Sequence, residues 1–176
     1  MPNGVLGIML HNSGTYASPT LGEIDIVSDV KIARSKNTHP TTKRRGKGIN
    51  TVRTTTGTVV VTFMLEVPDG VQTGNPNWDQ YKLFSDAWDA DEVMPLMFLD
   101  GPLATNGSKG MSGYWAITKF DEDNSNDVSL FADVEIQVAD VPFDVLTATP
   151  TAKSLRKVRI AGGNPTYANW GSKTYA

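Results

Sequence analysis

The stretch Thr58–Val67, which reads TVVVTFMLEV, decides the fold class of this chain of 176 residues. Every second residue of it, starting with Val59, is apolar, and this alternation is typical of a β-strand with one buried face. Val60 and Met64 make the opposite face partly apolar as well, so we expect cover on both sides of the strand. Proline, aspartate and glycine at 68–70 end it, because these residues favour turns.

Two further segments alternate in the same way but carry acids on the polar face. Residues 128–139 have apolar side chains at every even position, and Asp133 and Glu135 lie on the odd face. Residues 22–34 place isoleucine and valine on one side of a strand, and Glu23, Asp25 and Asp29 on the other. We therefore predict two strands that each have one apolar and one acidic face.

One substantial helix is predicted over residues 77–90. Asn77 stands at the N-cap, Gln80 stands at the capping-box position, and aromatic residues recur at helical spacing, which is typical of core packing. Shorter strands are predicted at 93–99, 114–120, 143–148 and 155–160. Pro95 lacks a backbone N–H, so it lies on a sheet edge or at the start of its strand.

The predicted fold is mainly β: an antiparallel β-sandwich or β-barrel with one flanking α-helix, a long basic loop and a C-terminal arm. Residues 1–142 form the β domain. Within it, residues 35–57 are rich in Thr, Lys, Arg, Gly and Asn and nearly free of apolar side chains, which predicts a long loop with a function of its own. Residues 143–176 form the C-terminal extension or arm, whose aromatic residues predict docking on this domain or on a neighbour.

The sequence offers little enzyme chemistry. It has no cysteine, and its two histidines, His11 and His39, are isolated in polar surroundings without a nucleophile elbow or a phosphate-binding loop. The connector at 121–127 clusters carboxylates as calcium sites do, but Asn126 and Ala132 replace the glycine and the glutamate of an EF-hand loop, so a solvated turn fits better. We expect no catalysis, metal or cofactor. The apolar run nearest the start is too short to predict a signal peptide or a membrane span.

Charge is sorted into blocks along this chain of net charge −3. Residues 66–144 carry sixteen acids and three cations, whereas residues 145–176 carry five cations and no acid. Residues 31–53 have no acid and carry eight cations, namely Lys31, Arg34, Lys36, Lys43, Arg44, Arg45, Lys47 and Arg53. Such blocks indicate separate surfaces for separate partners. The basic segment fits the phosphates of a nucleic acid or the acidic body of another copy, and its lack of aromatic residues argues against base stacking.

The order of these elements resembles the tail tube proteins, also called major tail proteins, of long-tailed bacteriophages. The resemblance covers about residues 20–140. Its elements are a strand, a long loop, the strong strand at 58–67, a flanking helix, the short strand VMPLMFLDG at 93–101, the strand GYWAITKF at 113–120, an acidic connector and the strand at 128–139.

Members of this family form hexameric rings whose β-sandwich or β-barrel subunits join their sheets in a central barrel, and the rings stack into a tube that conducts viral DNA. The resemblance therefore implies a structural virion protein of the viral tail, assembled in the host cytoplasm, with copies of itself and other tail proteins as partners and no membrane. Viral DNA passes through it without specific binding. The loop at 35–57 is then the contact to the adjacent ring, through Lys43, Arg44, Arg45, Lys47 and Arg53.

In such a tube an acidic strand face suits the wall of the lumen. Negative charge repels the passing duplex, whereas cations on the wall would release counterions from the DNA and bind it. The residues expected to face the lumen are Glu23, Asp25, Asp29, Asp133 and Glu135. The alternatives are an ordinary solvated strand face on a monomer, a small nucleic-acid-binding β domain that uses the basic loop, and a capsid decoration or head-completion protein.

Overall fold

The computed structural model describes residues 7–41, 51–68, 74–123, 130–149 and 152–169. Within these ranges the chain forms nine β-strands and two α-helices. The strands are β1 (Ile8–Asn12), β2 (Leu21–Glu23), β3 (Val27–Thr41), β4 (Thr51–Glu66), β5 (Met94–Leu99), β6 (Lys109–Asp123), β7 (Phe131–Val138), β8 (Leu155–Ala161) and β9 (Asn164–Asn169). The helices are α1 (Pro76–Asp89) and α2 (Phe143–Ala148).

All nine strands belong to one antiparallel sheet, and β6 joins its two halves. Residues 110–115 of β6 pair with β5 along one edge. Residues 109–113 pair with β8 and residues 115–123 with β7 along the other edge. We call β2-β1-β5-β6-β8-β9 the first half-sheet and β6-β7-β4-β3 the second half-sheet.

The inner faces of the two half-sheets share one hydrophobic core. Leu96 and Phe98 of β5 are buried in the same cluster as Phe63 and Leu65 of β4. Helix α1 packs into this cluster, where the ring of Phe84 contacts that of Phe63 edge-on with 5.5 Å between centroids. Two sheet faces on a common core make a sandwich-like fold. The predicted mainly β class is confirmed, and the sheet does not close into a barrel.

The strongest strand predictions are confirmed. β4 buries Val59, Val61, Phe63 and Leu65 in alternation, and β7 buries Ala132, Val134 and Ile136 beside them. The sequence also predicts that the second face of β4 is covered. In the described part of the chain no element packs over that face, and Val60 and Met64 are half-buried there. Pro95 is the second residue of β5, so it lies at the strand's start.

The single strand predicted at 22–34 is wrong. β2 ends at Glu23 and β3 begins at Val27, and a turn stands between them. Ile24 and Ile26 of this turn are buried in the core. Two isoleucines that alternate within a turn give the same sequence pattern as a strand, which is why the break was not visible in the sequence.

Helix α1 begins two residues earlier than the sequence predicts. Asn75, and not Asn77, is the N-cap, and its side-chain oxygen accepts a hydrogen bond from the backbone N–H of Asn77 at 3.0 Å. Pro76 occupies the first helical position, where no backbone N–H is needed. Gln80 makes no capping box; its side-chain oxygen instead accepts a hydrogen bond from the N–H of Asp25 at 2.9 Å and so holds the turn after β2.

The loop predicted at 35–57 is wrong at both of its ends. β3 continues to Thr41 and β4 begins at Thr51, and the two ends pair with each other from Ser35 opposite Thr58 to Thr41 opposite Thr51. The threonines and valines of this segment favour strands. The sequence shows no apolar alternation here, because the described side chains from 31 to 38 are all exposed. Residues 42–50 lie outside the described part of the chain.

The described C-terminal region forms one short helix and two strands. The strand predicted at 155–160 is confirmed as β8, but the strand predicted at 143–148 is helix α2. The spacing of Phe143 and Leu146 fits a helix, and Thr147 Oγ1 donates a hydrogen bond to the carbonyl of Phe143 at 2.8 Å. β8 buries Val158 and Ile160 in a second cluster behind the first half-sheet, so part of the predicted arm docks on its own domain.

Candidate functional site

The outer face of the second half-sheet gathers carboxylates from three strands. On β7, Asp133 and Glu135 point away from the core because they alternate with buried residues. Asp121 of β6 lies opposite Asp133. Asp29 of β3 lines the same shallow cavity of about 220 Å³ as Asp133 and Glu135. We call Asp29, Asp121, Asp133 and Glu135 the acidic face.

Two cations, Lys119 and Lys31, lie on the same outer face as these carboxylates. Lys31 of β3 is opposite Thr62 of β4, which is itself opposite Glu135. Lys119 of β6 is opposite Glu135, and its Nζ is 3.0 Å from Oδ2 of Asp121. The hydrogen bond to Asp121 raises the pKa of Lys119, and the charges of Asp121, Asp133 and Glu135 raise it further. The acidic face therefore keeps an excess of negative charge, with Lys119 fully charged within it.

Hydrogen bonds hold Glu135 in place. Thr118 Oγ1 donates to Oε1 of Glu135 at 2.9 Å, and Gln137 Nε2 donates to the same oxygen at 3.2 Å. Thr118 stands at the register shift between Ile117 and Lys119, which turns its side chain toward β7. A bulge of this kind re-aims one side chain without ending the strand.

Asp29 reaches the acidic face through a second irregularity. The pairing of β3 with β4 shifts between Ser28 and Lys31, and Asp29 has a φ of 52°. This left-handed conformation is unfavourable for most residues, but aspartate tolerates it better than others. The backbone of β3 therefore bends where it meets the acidic face.

Three of the five predicted lumen residues come together, and two do not. Glu23 lies on β2 and Asp25 in the turn held by Gln80 of α1, away from the outer face of the second half-sheet. The sequence analysis missed Asp121 because it assigns residue 121 to the acidic connector, whereas β6 continues to Asp123. The alternation of Lys119 with Asp121 along β6 is the signal that could have identified it.

A two-stranded ribbon projects from the second half-sheet. β4 pairs with β7 only from Val60 onward, so residues 35–41 and 51–58 pair with each other alone among the described strands. At about 3.3 Å per residue, the paired part extends roughly 20 Å. Of the predicted ring-contact residues, Lys43, Arg44, Arg45 and Lys47 lie outside the described residues, and the backbone of Arg53 lies in the ribbon opposite His39.

The described residues show no group that fits a metal ion. No three of their histidines and carboxylates lie close enough together to hold one. His11 of β1 is half-buried, and this burial lowers its pKa. Neither of the two described helices is long and apolar enough to cross a membrane.

Comparison with known proteins places this fold among those of tail proteins. No protein-family model matches the chain, and no curated protein matches its sequence. A chain from the tail of an empty gene transfer agent particle, refined helically with C6 symmetry, aligns with a TM-score of 0.59 at 13% identity, over 80% of this chain and 96% of the other.

Two further solved structures share the fold. A chain of the native gene transfer agent virion aligns with a TM-score of 0.56 at 12% identity, over 80% of this chain and 96% of the other. A chain of the SPP1 tail tube aligns with a TM-score of 0.57 at 10% identity, over 77% of this chain and 74% of the other. The resemblance to tail tube proteins inferred from the sequence is thus confirmed at the level of the fold.

Proposed function

We propose that this chain is the structural subunit of a phage tail tube. Copies assemble into sixfold rings, the rings stack, and the tube conducts viral DNA along an acidic lumen. The observation that carries the proposal is a fold seen in tail structures combined with an acidic outer face on the second half-sheet. Its last strand, β3, has one edge without a partner among the described strands.

Ring formation needs a surface that another copy can join. Among the described strands β3 pairs with β4 alone, so its other edge presents backbone N–H and C=O groups to a neighbour. An unpaired edge is a template for a strand from a second chain. Pairing at this edge would continue the second half-sheet from copy to copy and align the acidic faces around one axis. The C6 symmetry of the gene transfer agent tail supports six copies per ring.

The acidic face suits the wall of a DNA channel. Duplex DNA carries one negative charge per about 1.7 Å of its axis, and binding to a wall would require cations that replace its counterions. The acidic face has four carboxylates against two lysines, Lys119 and Lys31, so its net charge is still negative and repels the duplex. A repelled duplex stays in the middle of the channel and slides without sticking.

The ribbon suits contacts between rings. A two-stranded hairpin is at best marginally stable in water by itself, so it gains stability when a neighbour covers it. Lys36 of the ribbon is exposed, and four further cations follow within residues 42–50. This charge would meet the acidic body of a copy in the next ring, which is a heterologous contact that repeats along the tube.

The remaining parts of the proposal follow from this role. The protein is structural and not an enzyme, it is located in the tail of the virion, and it assembles in the host cytoplasm with other tail proteins. Viral DNA passes through the tube without specific binding, and the protein needs no membrane.

Negative-stain microscopy of the purified chain, with its mass measured by light scattering, tests the proposed function. Rings with a central hole, alone or in stacks, and masses in multiples of six chains are expected at high protein concentration. Monomers at every protein and salt concentration would contradict the proposal.

A further inference from the structure

A large apolar groove opens between the two half-sheets. It has a volume of about 720 Å³, and its lining includes Phe98 and Met111 of the first half-sheet and Val30 and Ile32 of β3. Ile32 is 38% exposed there, although the residues of the neighbouring core are almost fully buried. The volume lies within the range of pockets that take a drug-sized ligand, so it can accept more than one side chain.

Cations surround this groove. Among the described residues that line it are four cations, Arg34, Lys109, Lys157 and Arg159, and one acid, Asp100. Lys109 of β6 lies directly opposite Arg159 of β8. Like charges in that position are unfavourable, and Asp100 offsets them in part while its Oδ1 accepts a hydrogen bond from the N–H of Lys109 at 2.6 Å. The rim therefore favours an acidic partner.

Helix α2 presents an apolar face with acids beside it. Phe143 is 84% exposed and Leu146 is 43% exposed, and the two lie three residues apart on one side of the helix. Asp140 and Asp144 flank Phe143 and are also exposed. Single exposed apolar residues are common on protein surfaces, but a pair on one helix face beside two acids forms a patch.

The groove and the α2 patch lie on opposite sides of the first half-sheet. α2 shares a cavity with Pro95 of β5 and Tyr114 of β6. The groove is lined by Phe98 of β5 and Met111 of β6, which alternation places on the other face of the same two strands. The sheet separates the two surfaces, so they meet only when they belong to different copies.

We propose that the Phe143–Leu146 face of α2 inserts into the apolar groove of the next copy. The two apolar side chains leave water, and Asp140 and Asp144 approach the cations of the groove's rim. This contact is heterologous, as rings and stacks require. It rests on the proposed function, because it specifies surfaces through which copies assemble, and it gives a role to the basic charge of β8.

Cross-linking tests this contact directly, since the chain has no cysteine of its own. Chains carrying Ile32→Cys and chains carrying Phe143→Cys are mixed and treated with a short bismaleimide. Cross-linked dimers of one chain of each kind are expected. A mixture in which Lys82→Cys, exposed on α1, replaces Phe143→Cys should give none.

Two outcomes of the cross-linking would overturn the contact. Rings that form without a link between positions 32 and 143 would show that copies join through other surfaces. A link within one chain between Val5→Cys and Ile32→Cys would place the chain's own first residues in the groove. If the wild type stays monomeric, the contact and the proposed function both fail, whereas unlinked rings overturn the contact alone.

Charge reversal gives a second, independent test. Asp144→Lys and Arg159→Glu should each raise the protein concentration needed for half-maximal assembly at least fivefold, because each places like charges together. The double variant should recover most of the wild-type assembly. Light scattering measures assembly, and circular dichroism checks that each variant folds normally. Equal assembly of the wild type and both single variants would overturn the contact.

Discussion

Asp121 of β6 and Asp133 of β7 lie directly opposite each other on the outer face of the second half-sheet. Like charges in this position destabilise an antiparallel pair. Lys119 forms an ion pair with Asp121 at 3.0 Å, which moderates the repulsion without removing it. The arrangement costs the isolated sheet stability, which agrees with the proposed role of the acidic face in a DNA channel.

Neutralising one member of this pair should stabilise the folded subunit. We expect Asp133→Asn to raise the free energy of unfolding in urea by about 0.2 to 1 kcal/mol, because it removes the repulsion from Asp121 and leaves the Lys119 ion pair intact. Glu92→Gln, an exposed acid outside the acidic face, is the control and should change little. A loss of stability in Asp133→Asn would show that the carboxylate makes a favourable contact.

Reversing the charge of the acidic face should make assembled rings retain DNA. The double variant Asp133→Lys with Glu135→Lys makes the charge of each chain more positive by four units. We expect duplex DNA to co-sediment with rings of this variant at about 50 mM salt and to be released at about 200 mM. Wild-type rings should retain none. Asp79→Lys with Glu92→Lys makes the same charge change elsewhere, and equal retention by this control would show that location on the acidic face is irrelevant.

Tyr81 should make the fold sensitive to alkaline pH. Its hydroxyl donates a hydrogen bond to Glu122, and burial, followed by this hydrogen bond, raises the pKa of Tyr81 to about 12. The unfolded chain loses this proton near pH 10 and the folded chain near pH 12, so stability is complete below pH 10 and falls between pH 10 and 12.

The comparison with Tyr81→Phe isolates this effect from other groups that titrate in the same range. Urea unfolding at pH 9, 10 and 11 should show the stability advantage of the wild type shrinking by about 1.4 kcal/mol for each pH unit above 10. The variant lacks the hydroxyl and so lacks this dependence. A constant difference between the two proteins from pH 9 to 11 would contradict the raised pKa.

The pairing of β5 with β6 depends on Gly110. A Cβ atom at this position would lie 1.7 Å from the carbonyl oxygen of Phe98, which is a backbone atom that cannot move aside. We expect Gly110→Ala to lower the free energy of unfolding by ~3 kcal/mol or more. Gly22→Ala, where nothing lies within 4 Å of the added atom, is the matched control; similar losses in both would argue against the close approach.

The basic residues between β3 and β4 should control stacking and not ring formation. We expect Arg44→Glu with Arg45→Glu to leave single rings intact but to shorten stacks in micrographs, because the reversed charges would repel an acidic body. High salt should also shorten the stacks of the wild type, because salt screens the attraction between exposed charges. Stacks of normal length in the variant, as in the control Lys82→Glu, would contradict this role.

The sequence predicts the parts of this fold that follow a simple period. β4 and β7 alternate regularly, because one face is buried and a shift of one residue would expose it. Asp133 and Glu135 could therefore be assigned to an outer face from the sequence alone. The ribbon could not be identified as strand, because its sequence lacks apolar alternation, and its side chains at 35–38 and 57–58 are all exposed.

The relationships between distant segments could not be predicted. Gln80 accepts a hydrogen bond from the N–H of Asp25, which is 55 positions away in the chain. No local sequence pattern predicts such a contact. The acidic face likewise depends on two register shifts, one in β3 and one in β6, which bring Asp29 and Asp121 beside Asp133. The groove between the half-sheets joins β3 to β8, and only the folded chain shows it.

The central claim is that copies of this chain form rings whose channel is lined by the acidic face. A cryo-electron microscopy reconstruction of the assembled protein tests it most directly. We expect sixfold rings in which Asp133 and Glu135 point into the channel and β3 of one copy joins the sheet of the next. Rings that present these two residues on their outer surface, or a protein that never assembles, would contradict the claim.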